Sequence, residues 1–192
     1  MPHIAYEVVR PDQARSCAVF ASPHSGRNYS FSFLRSTVLD GHSIRSSEDA
    51  FVDLLFNSAP HFGAPFLMAG APRAFLDLNR SRDELDPALI EGVRRQAHNP
   101  RVASGLGVIP RVVANGRSIY QGKLTLDEAR ARIATYWVPY HDMLQSLLND
   151  ARADHGQAIL VDCHSMPPLR RASGPAPDIV LGDSNGASAA PA

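Results

Sequence analysis

The chain has 192 residues, of which 44% are hydrophobic, and this suits a single domain with a substantial buried core. Its 19 basic and 19 acidic side chains cancel, so no overall charge favours nucleic acid or an anionic membrane as a partner. The sequence has two cysteines, no signal-peptide pattern and no apolar run long enough to span a membrane. We therefore expect a cytoplasmic protein with reduced cysteines that binds neither nucleic acid nor membrane.

The sequence predicts alternating strands and helices. Apolar runs typical of buried strands lie at residues 16–21, 65–69, 73–78, 158–163 and 178–182. A first helical pattern covers residues 48–58, with Ser46 or Ser47 available as its N-cap. This alternation indicates an α/β sandwich with a mostly parallel sheet.

A second helical pattern begins at Thr125. Residues 125–128 (Thr-Leu-Asp-Glu) form a capping box, and apolar residues then recur at helical spacing. Pro139 lies inside this pattern, so we expect a kink or break near Trp137. The preceding residues 98–123 contain several glycines and little periodicity, which predicts a long loop across the surface that contributes to specificity.

Two histidines follow predicted strands. His24 lies in residues 22–26 (Ser-Pro-His-Ser-Gly), and His164 lies in residues 161–165 (Val-Asp-Cys-His-Ser). Because α/β sheets bind ligands at the carboxyl ends of their strands, both histidines are candidates to hold one metal ion. Asp162, two residues before His164, is expected to fix the ring tautomer or to bind the metal itself. A hydrogen-bonded core histidine is the alternative for His24.

The third metal ligand is expected among the acidic residues at the start of the first helix. Asp49 and Asp53 are four residues apart, so one is a candidate ligand and the other a candidate to orient a histidine. Alternatively, Glu48 and Asp49 only complement the helix dipole. Among the remaining histidines, His141 alone is kept as a candidate for function.

A further polar group lies in residues 71–80 (Ala-Pro-Arg-Ala-Phe-Leu-Asp-Leu-Asn-Arg). Asn79 and Arg80 suit a substrate carboxylate, because a guanidinium binds it with two parallel hydrogen bonds. Arg73 is a candidate to stabilise a developing oxyanion. The alternative is a surface ion network of Arg73, Asp77 and Arg80, which would contribute little.

Taken in order, these segments resemble the N-formylglutamate amidohydrolase family. The matching stretches are residues 22–26 with Tyr29, 48–53, 73–80, 136–141, 162–167 and 178–183. The resemblance implies kinship with zinc carboxypeptidases and aspartoacylase-type deacylases. The implied fold is a three-layer α/β sandwich with a mixed, mostly parallel central sheet, of the phosphorylase/hydrolase-like type.

The resemblance also implies a set of site residues. Zinc would be held by His24, Asp49 and His164, with Glu48 as the alternative acid. Related enzymes place a glutamate three residues after the first histidine, but Arg27 stands there in this chain, so the acid ligand must come from elsewhere. Substrate-binding roles fall to Asn79 and Arg80, which would hold the α-carboxylate, while Arg73 would be the catalytic oxyanion donor.

The implied activity is zinc-dependent removal of an N-formyl or other N-acyl group from an acidic amino acid such as N-formyl-L-glutamate, a step of histidine degradation. Family members continue beyond residue 192 through a strand with a glutamate that, by analogy with carboxypeptidases, is the general base. We therefore expect residues 1–192 to be a single hydrolase domain without that segment, which binds metal but hydrolyses substrate poorly. The alternative is a non-catalytic binding protein of the same fold.

Overall fold

A computed structural model describes residues 4–94, 99–167, 177–183, 186 and 188. It contains one sheet of four strands, in the order β1, β3, β2, β4. The strands are β1 (Tyr6–Val9), β2 (Ala18–Ser22), β3 (Phe66–Ala69) and β4 (Ile159–Asp162). Strand β2 runs parallel to β3 and β4, whereas β1 runs antiparallel to β3. The prediction of an α/β fold with a mixed sheet is confirmed, although β1 was not predicted.

The helices of the described residues are mostly short. They are α1 (Phe31–Ser36), α2 (Val52–Leu55), α3 (Pro100–Ala103), α4 (Leu126–Arg132) and α5 (Val138–His155). Short 3-10 helices cover Ser43–Ser47, Ala59–Phe62 and Ala114–Gly116. None of the helices in these described ranges combines the length and apolar composition that crossing a membrane requires.

Helix α4 begins where the capping box predicts. The Thr125 hydroxyl accepts a hydrogen bond from the Glu128 backbone N–H at 3.1 Å. The interruption expected near Trp137 is a π-helical turn, Ile133–Trp137, which lies between α4 and α5 without ending the helical region. A proline cannot donate the usual backbone hydrogen bond, and a wider turn lets the helix continue around it.

Two predicted strands are wrong. Residues 73–78 form turns instead, in which the Pro72 carbonyl accepts hydrogen bonds from the backbone N–H groups of Phe75 and Leu76. The apolar side chains of this run are buried in the core, so its composition reflects burial and not strand pairing. Residues 178–182 form no strand with any other described residues, and Ile179 and Leu181 are exposed.

The predicted helix over residues 48–58 is also wrong in its extent. Neither Ser46 nor Ser47 caps it, because both lie in a 3-10 helix, and α2 starts only after Phe51, whose φ is 66°. The Asp49 backbone N–H donates to the His24 carbonyl oxygen at 3.0 Å. This bond ties the segment to the end of β2 and replaces helical hydrogen bonding at that point.

The segment predicted as a surface loop packs into the core. Of residues 98–123, all but residue 98 are described, and they include α3 and a short 3-10 helix. Val108, Ile109 and Ile119 have no exposed surface. The prediction of a loop holds for most of this segment, and residues 115–118 and 121–123 are exposed as expected, but these buried side chains complete the hydrophobic core.

Candidate active site

The two candidate histidines lie together at one edge of the sheet. Strands β2 and β4 are parallel neighbours with Ala21 opposite Asp162, so the residues that follow them emerge side by side. The rings of His24 and His164 are 4.8 Å apart between centroids. The prediction that these two strand ends meet is confirmed.

The tautomer of His24 follows from its hydrogen bond to Asp77. Its Nε2 lies 2.8 Å from Asp77 Oδ1, and since an ionised carboxylate only accepts, Nε2 carries the proton. The opposite nitrogen, Nδ1, is buried, has no hydrogen-bond partner among the described residues, and lies 3.5 Å from Asp49 Oδ2. A buried lone pair of this kind is costly unless a proton donor or a cation meets it.

His164 is held between two carboxylates. Its Nδ1 lies 2.8 Å from Asp49 Oδ2, and its Nε2 lies 2.9 Å from Asp162 Oδ2. Burial lowers the pKa of this ring, but the hydrogen bonds and charges of Asp162 and Asp49 outweigh it and raise the pKa to about 9. The ring is therefore an imidazolium at neutral pH, with a proton on each nitrogen.

The three carboxylates around the histidines are ionised at neutral pH. For Asp77, burial raises the pKa, but the hydrogen bond from His24 and nearby positive charges outweigh it and lower the pKa to about 2. The pKa values of Asp49 and Asp162 are likewise raised by burial and lowered further by the histidines, so both end below the ordinary value. Three negative charges beside these two rings favour a divalent cation.

Three of these residues offer ligand atoms to a common point. The ligand atoms of His24, Asp49 and His164 all lie within 4.8 Å of one another. Two imidazoles and one carboxylate are the ligands of many catalytic zinc sites, which keep a fourth position open. The unpartnered Nδ1 of His24 fits such a metal, because coordination would satisfy it. The structure thus groups the three residues that the family resemblance implied as ligands into a possible metal-binding cluster.

The residues that orient the histidines differ from the sequence-based expectation. Asp53 is not near the rings, because its carboxylate pairs with Arg27. Instead, Asp77 and Asp162 accept from the outer ring nitrogens of His24 and His164. This is the carboxylate–histidine–metal arrangement that fixes a ligand ring. Asp162 was predicted in this role, but nothing in the sequence linked Asp77 to a histidine 53 residues earlier.

The predicted substrate-binding residues surround Asp77. Arg73 Nε donates to Asp77 Oδ2 at 3.0 Å, and Arg80 Nε lies 4.0 Å from the same oxygen. Asn79 Nδ2 donates to Asp162 Oδ2 at 2.9 Å. The ion network considered for Arg73, Asp77 and Arg80 therefore exists, but its centre is a buried carboxylate with 2% of its side chain exposed. It is part of the site and not a surface network.

A cavity of about 580 Å³ opens beside these residues. Its polar wall includes Glu48, Asp49, Arg73 and Asp77, and the segment from Ser104 to Gly116 forms an apolar wall. Ser165, Met166 and Pro167 also line it. The volume suits a small-molecule substrate, and a cation and several acids face it from one side.

Comparison with known proteins identifies the family of this chain. A family model described as N-formylglutamate amidohydrolase matches residues 16–192. The chain belongs to the N-formylglutamate amidohydrolase family. The resemblance inferred from the sequence is confirmed.

Individual members of the family are similar over most of this chain. N-formylglutamate deformylases of Pseudomonas aeruginosa and Pseudomonas putida are 28% and 30% identical over 97% and 93% of it. A crystal structure of N-formylglutamate amidohydrolase from Ralstonia eutropha JMP134 superposes on 86% of the chain with a TM-score of 0.79 and 34% identity. A gene product of Agrobacterium tumefaciens with 17% identity and a TM-score of 0.61 shares the fold.

The chain is shorter than these relatives. It spans 66% and 63% of the two deformylases and 59% of the Ralstonia structure. The family match, residues 16–192, includes β2, β3 and β4 and both histidine-bearing strand ends, whereas β1 lies before it.

Proposed function

We propose that this chain is a zinc-dependent amidohydrolase that cleaves N-formyl-L-glutamate to formate and L-glutamate. The observation that carries the proposal is the buried, unpartnered Nδ1 of His24 beside Asp49 and His164. The activity named for the similar deformylases supports the substrate. A three-layer, zinc-carboxypeptidase-like layout belongs to the same proposal, as does a cytoplasmic location, which two free cysteines support.

His24, Asp49 and His164 would hold the zinc ion. Zinc, when bound, polarises the substrate carbonyl and lowers the pKa of a water molecule. The chain's own contribution is the fixed orientation of the two rings, since Asp77 and Asp162 accept from their outer nitrogens at 2.8 and 2.9 Å. To bind zinc, His164 must lose the proton on Nδ1 that it now shares with Asp49.

Arg73 and the turn after it would bind the substrate. Arg73 lines the cavity and would donate to the formyl oxygen as negative charge develops there. Arg80 would hold the α-carboxylate of the substrate. Asn79 Nδ2 donates to Asp162 and lies 2.8 Å from His164 Nε2, so Asn79 would bind that carboxylate only by exchanging one of these contacts for it.

The proton acceptor for the hydrolytic water needs a carboxylate that is not already engaged. Of the acids that line the cavity, Glu48 accepts from Tyr29 and Arg45, and Asp49 and Asp77 hold the histidines. We propose that none of these three is the general base. The 192-residue polypeptide should therefore turn over slowly, by about 10²- to 10⁴-fold relative to an enzyme with a positioned base.

The test combines elemental analysis with an assay of formate release. Purified protein and its His24→Ala and Asp49→Ala variants are compared with His61→Ala, which changes an exposed histidine. We expect one zinc per chain in the wild type and the control, none in the two site variants, and formate release that requires zinc. Absence of zinc uptake would overturn the proposal.

A non-catalytic binding protein is the second candidate, and the engagement of every cavity-lining acid favours it. It would bind zinc and N-formyl-L-glutamate without releasing formate at any enzyme concentration. Slow, zinc-dependent formate release that disappears in Asp49→Ala would exclude it.

A further inference from the structure

Trp137 and His141 contact the turn that carries the proposed substrate-binding residues. The Trp137 indole Nε1 donates to the Arg80 carbonyl oxygen at 2.9 Å. The His141 ring stacks on that indole, with centroids 3.7 Å apart and planes inclined by 20°. The ring also lies beside the Leu78 backbone, within reach of a polar contact. Two aromatic side chains of one helical region therefore bind alternate residues of a single turn.

Side chains of the turn over residues 77–80 contact most of the other polar residues of the site. Asp77 holds His24 and Arg73, and it also accepts from the Asn79 backbone N–H at 2.9 Å. Asn79 reaches Asp162, which in turn holds His164. A shift of this turn would therefore move the orienting carboxylate of one histidine and a neighbour of the other.

The two aromatic residues are themselves fixed by the helix. His141 Nδ1 lies 2.8 Å from the Trp137 carbonyl oxygen and donates to it when Nδ1 carries the ring proton. Trp137 ends the π-helical turn and His141 lies in the first turns of α5. π-Helical turns are frequent at functional sites, and this one sets the two rings where they meet the 77–80 turn.

We propose that Trp137 and His141 are positioning residues that fix the 77–80 turn, and with it Arg80 and Asn79, for substrate binding. The substrate part of this inference rests on the proposed function, whereas the ordering of the turn does not. The Trp137 indole donates to the backbone of the turn and the His141 ring stacks on that indole, so we assign both residues an action through the turn.

Variants of His141 separate the two polar contacts of its ring. Asparagine places its amide nitrogen near the position of Nδ1 and keeps the bond to Trp137, but it does not reach Leu78. Glutamine places its side-chain amide, which can donate or accept, near Nε2 and retains a contact with the turn. Trp137→Phe keeps the stacked ring and removes only the donor to Arg80. Tyr6→Phe, in β1 at the far edge of the sheet, is the control.

Two measurements test the positioning. Amide hydrogen exchange of the peptide containing residues 77–80 should be about fivefold faster in Trp137→Phe and His141→Asn, because each loses about one hydrogen bond. The control should match the wild type, and His141→Gln should exchange more slowly than His141→Asn, because both lose the stacked ring but only glutamine reaches the turn. In steady-state assays with N-formyl-L-glutamate, the first two variants should raise KM about fivefold to tenfold with zinc stoichiometry unchanged.

The outcomes are distinguishable. Equal exchange rates in His141→Asn and His141→Gln, or a lower thermal stability with unchanged exchange at the turn, would overturn the inference. If the wild type releases no formate, the proposed function fails, and exchange at the turn alone decides whether Trp137 and His141 position it.

Discussion

Zinc binding should release a proton from His164. Its two carboxylate neighbours raise the pKa to about 9, so most of the rings carry both protons at pH 7.5. A metal ligand must present a free lone pair, and Nδ1, the nitrogen that faces Asp49, is the one that loses its proton. The release should be about one proton per zinc at pH 7.5 and about half a proton at pH 9.

Calorimetric titrations in buffers of different ionisation enthalpy measure this number directly. The slope of observed enthalpy against buffer enthalpy gives the protons released. In competition with a chelating indicator, zinc affinity should rise about tenfold per pH unit between pH 7 and 8.5 and level off above pH 9.5. His164→Ala should lose the pH dependence of zinc affinity, and it should no longer bind zinc tightly. Proton release near zero at pH 7.5 would refute the reasoning, because His164 would then not be the ligand that titrates.

Four further results are expected. The metal-free protein should lose about 1 kcal/mol of unfolding free energy as pH rises from 6.5 to 9, because the folded pKa of His164 lies above its unfolded value. This figure is smaller than the full pKa shift implies, since 33% of the His164 side chain is exposed to solvent. Chemical denaturation at several pH values measures the change in unfolding free energy. Asp162→Asn should weaken zinc binding about 10- to 100-fold by releasing the His164 ring, which an unchanged chelator titration would contradict. Arg80→Ala should raise KM for N-formyl-L-glutamate about tenfold by removing a charge-assisted bond; an unchanged KM would speak against Arg80 as the carboxylate ligand. Arg132→Ala should lower the free energy of unfolding by about 2–3 kcal/mol, because this buried guanidinium donates to the Phe75 carbonyl and the Tyr120 hydroxyl. A change under 0.5 kcal/mol in urea unfolding would show that these two hydrogen bonds do not stabilise the fold.

Much of the site could be predicted because its signals are local. An apolar run that ends at a histidine occurs twice, and both runs, near β2 and β4, are strands. Parallel strands bring their carboxyl ends to one edge, so the meeting of His24 and His164 followed from the pattern. The capping box at Thr125 was equally local and correct.

Errors arose where burial and strand pairing give the same composition. Residues 73–78 and 178–182 have the apolar character of strands, but the first is a buried turn and the second pairs with no described strand. Periodicity also favoured a helix through Asp49, where a hydrogen bond to the end of β2 holds the chain in another conformation.

By itself, the sequence determined the fold class, three of the four strands, the family resemblance and the candidate metal ligands, because each depends on residue type and short-range spacing. Only the tertiary structure decided which groups orient those ligands. Asp77 reaches His24 across 53 residues, and His141 meets Leu78 across 63. Such pairs depend on how the chain folds back on itself, and no local pattern encodes that distance.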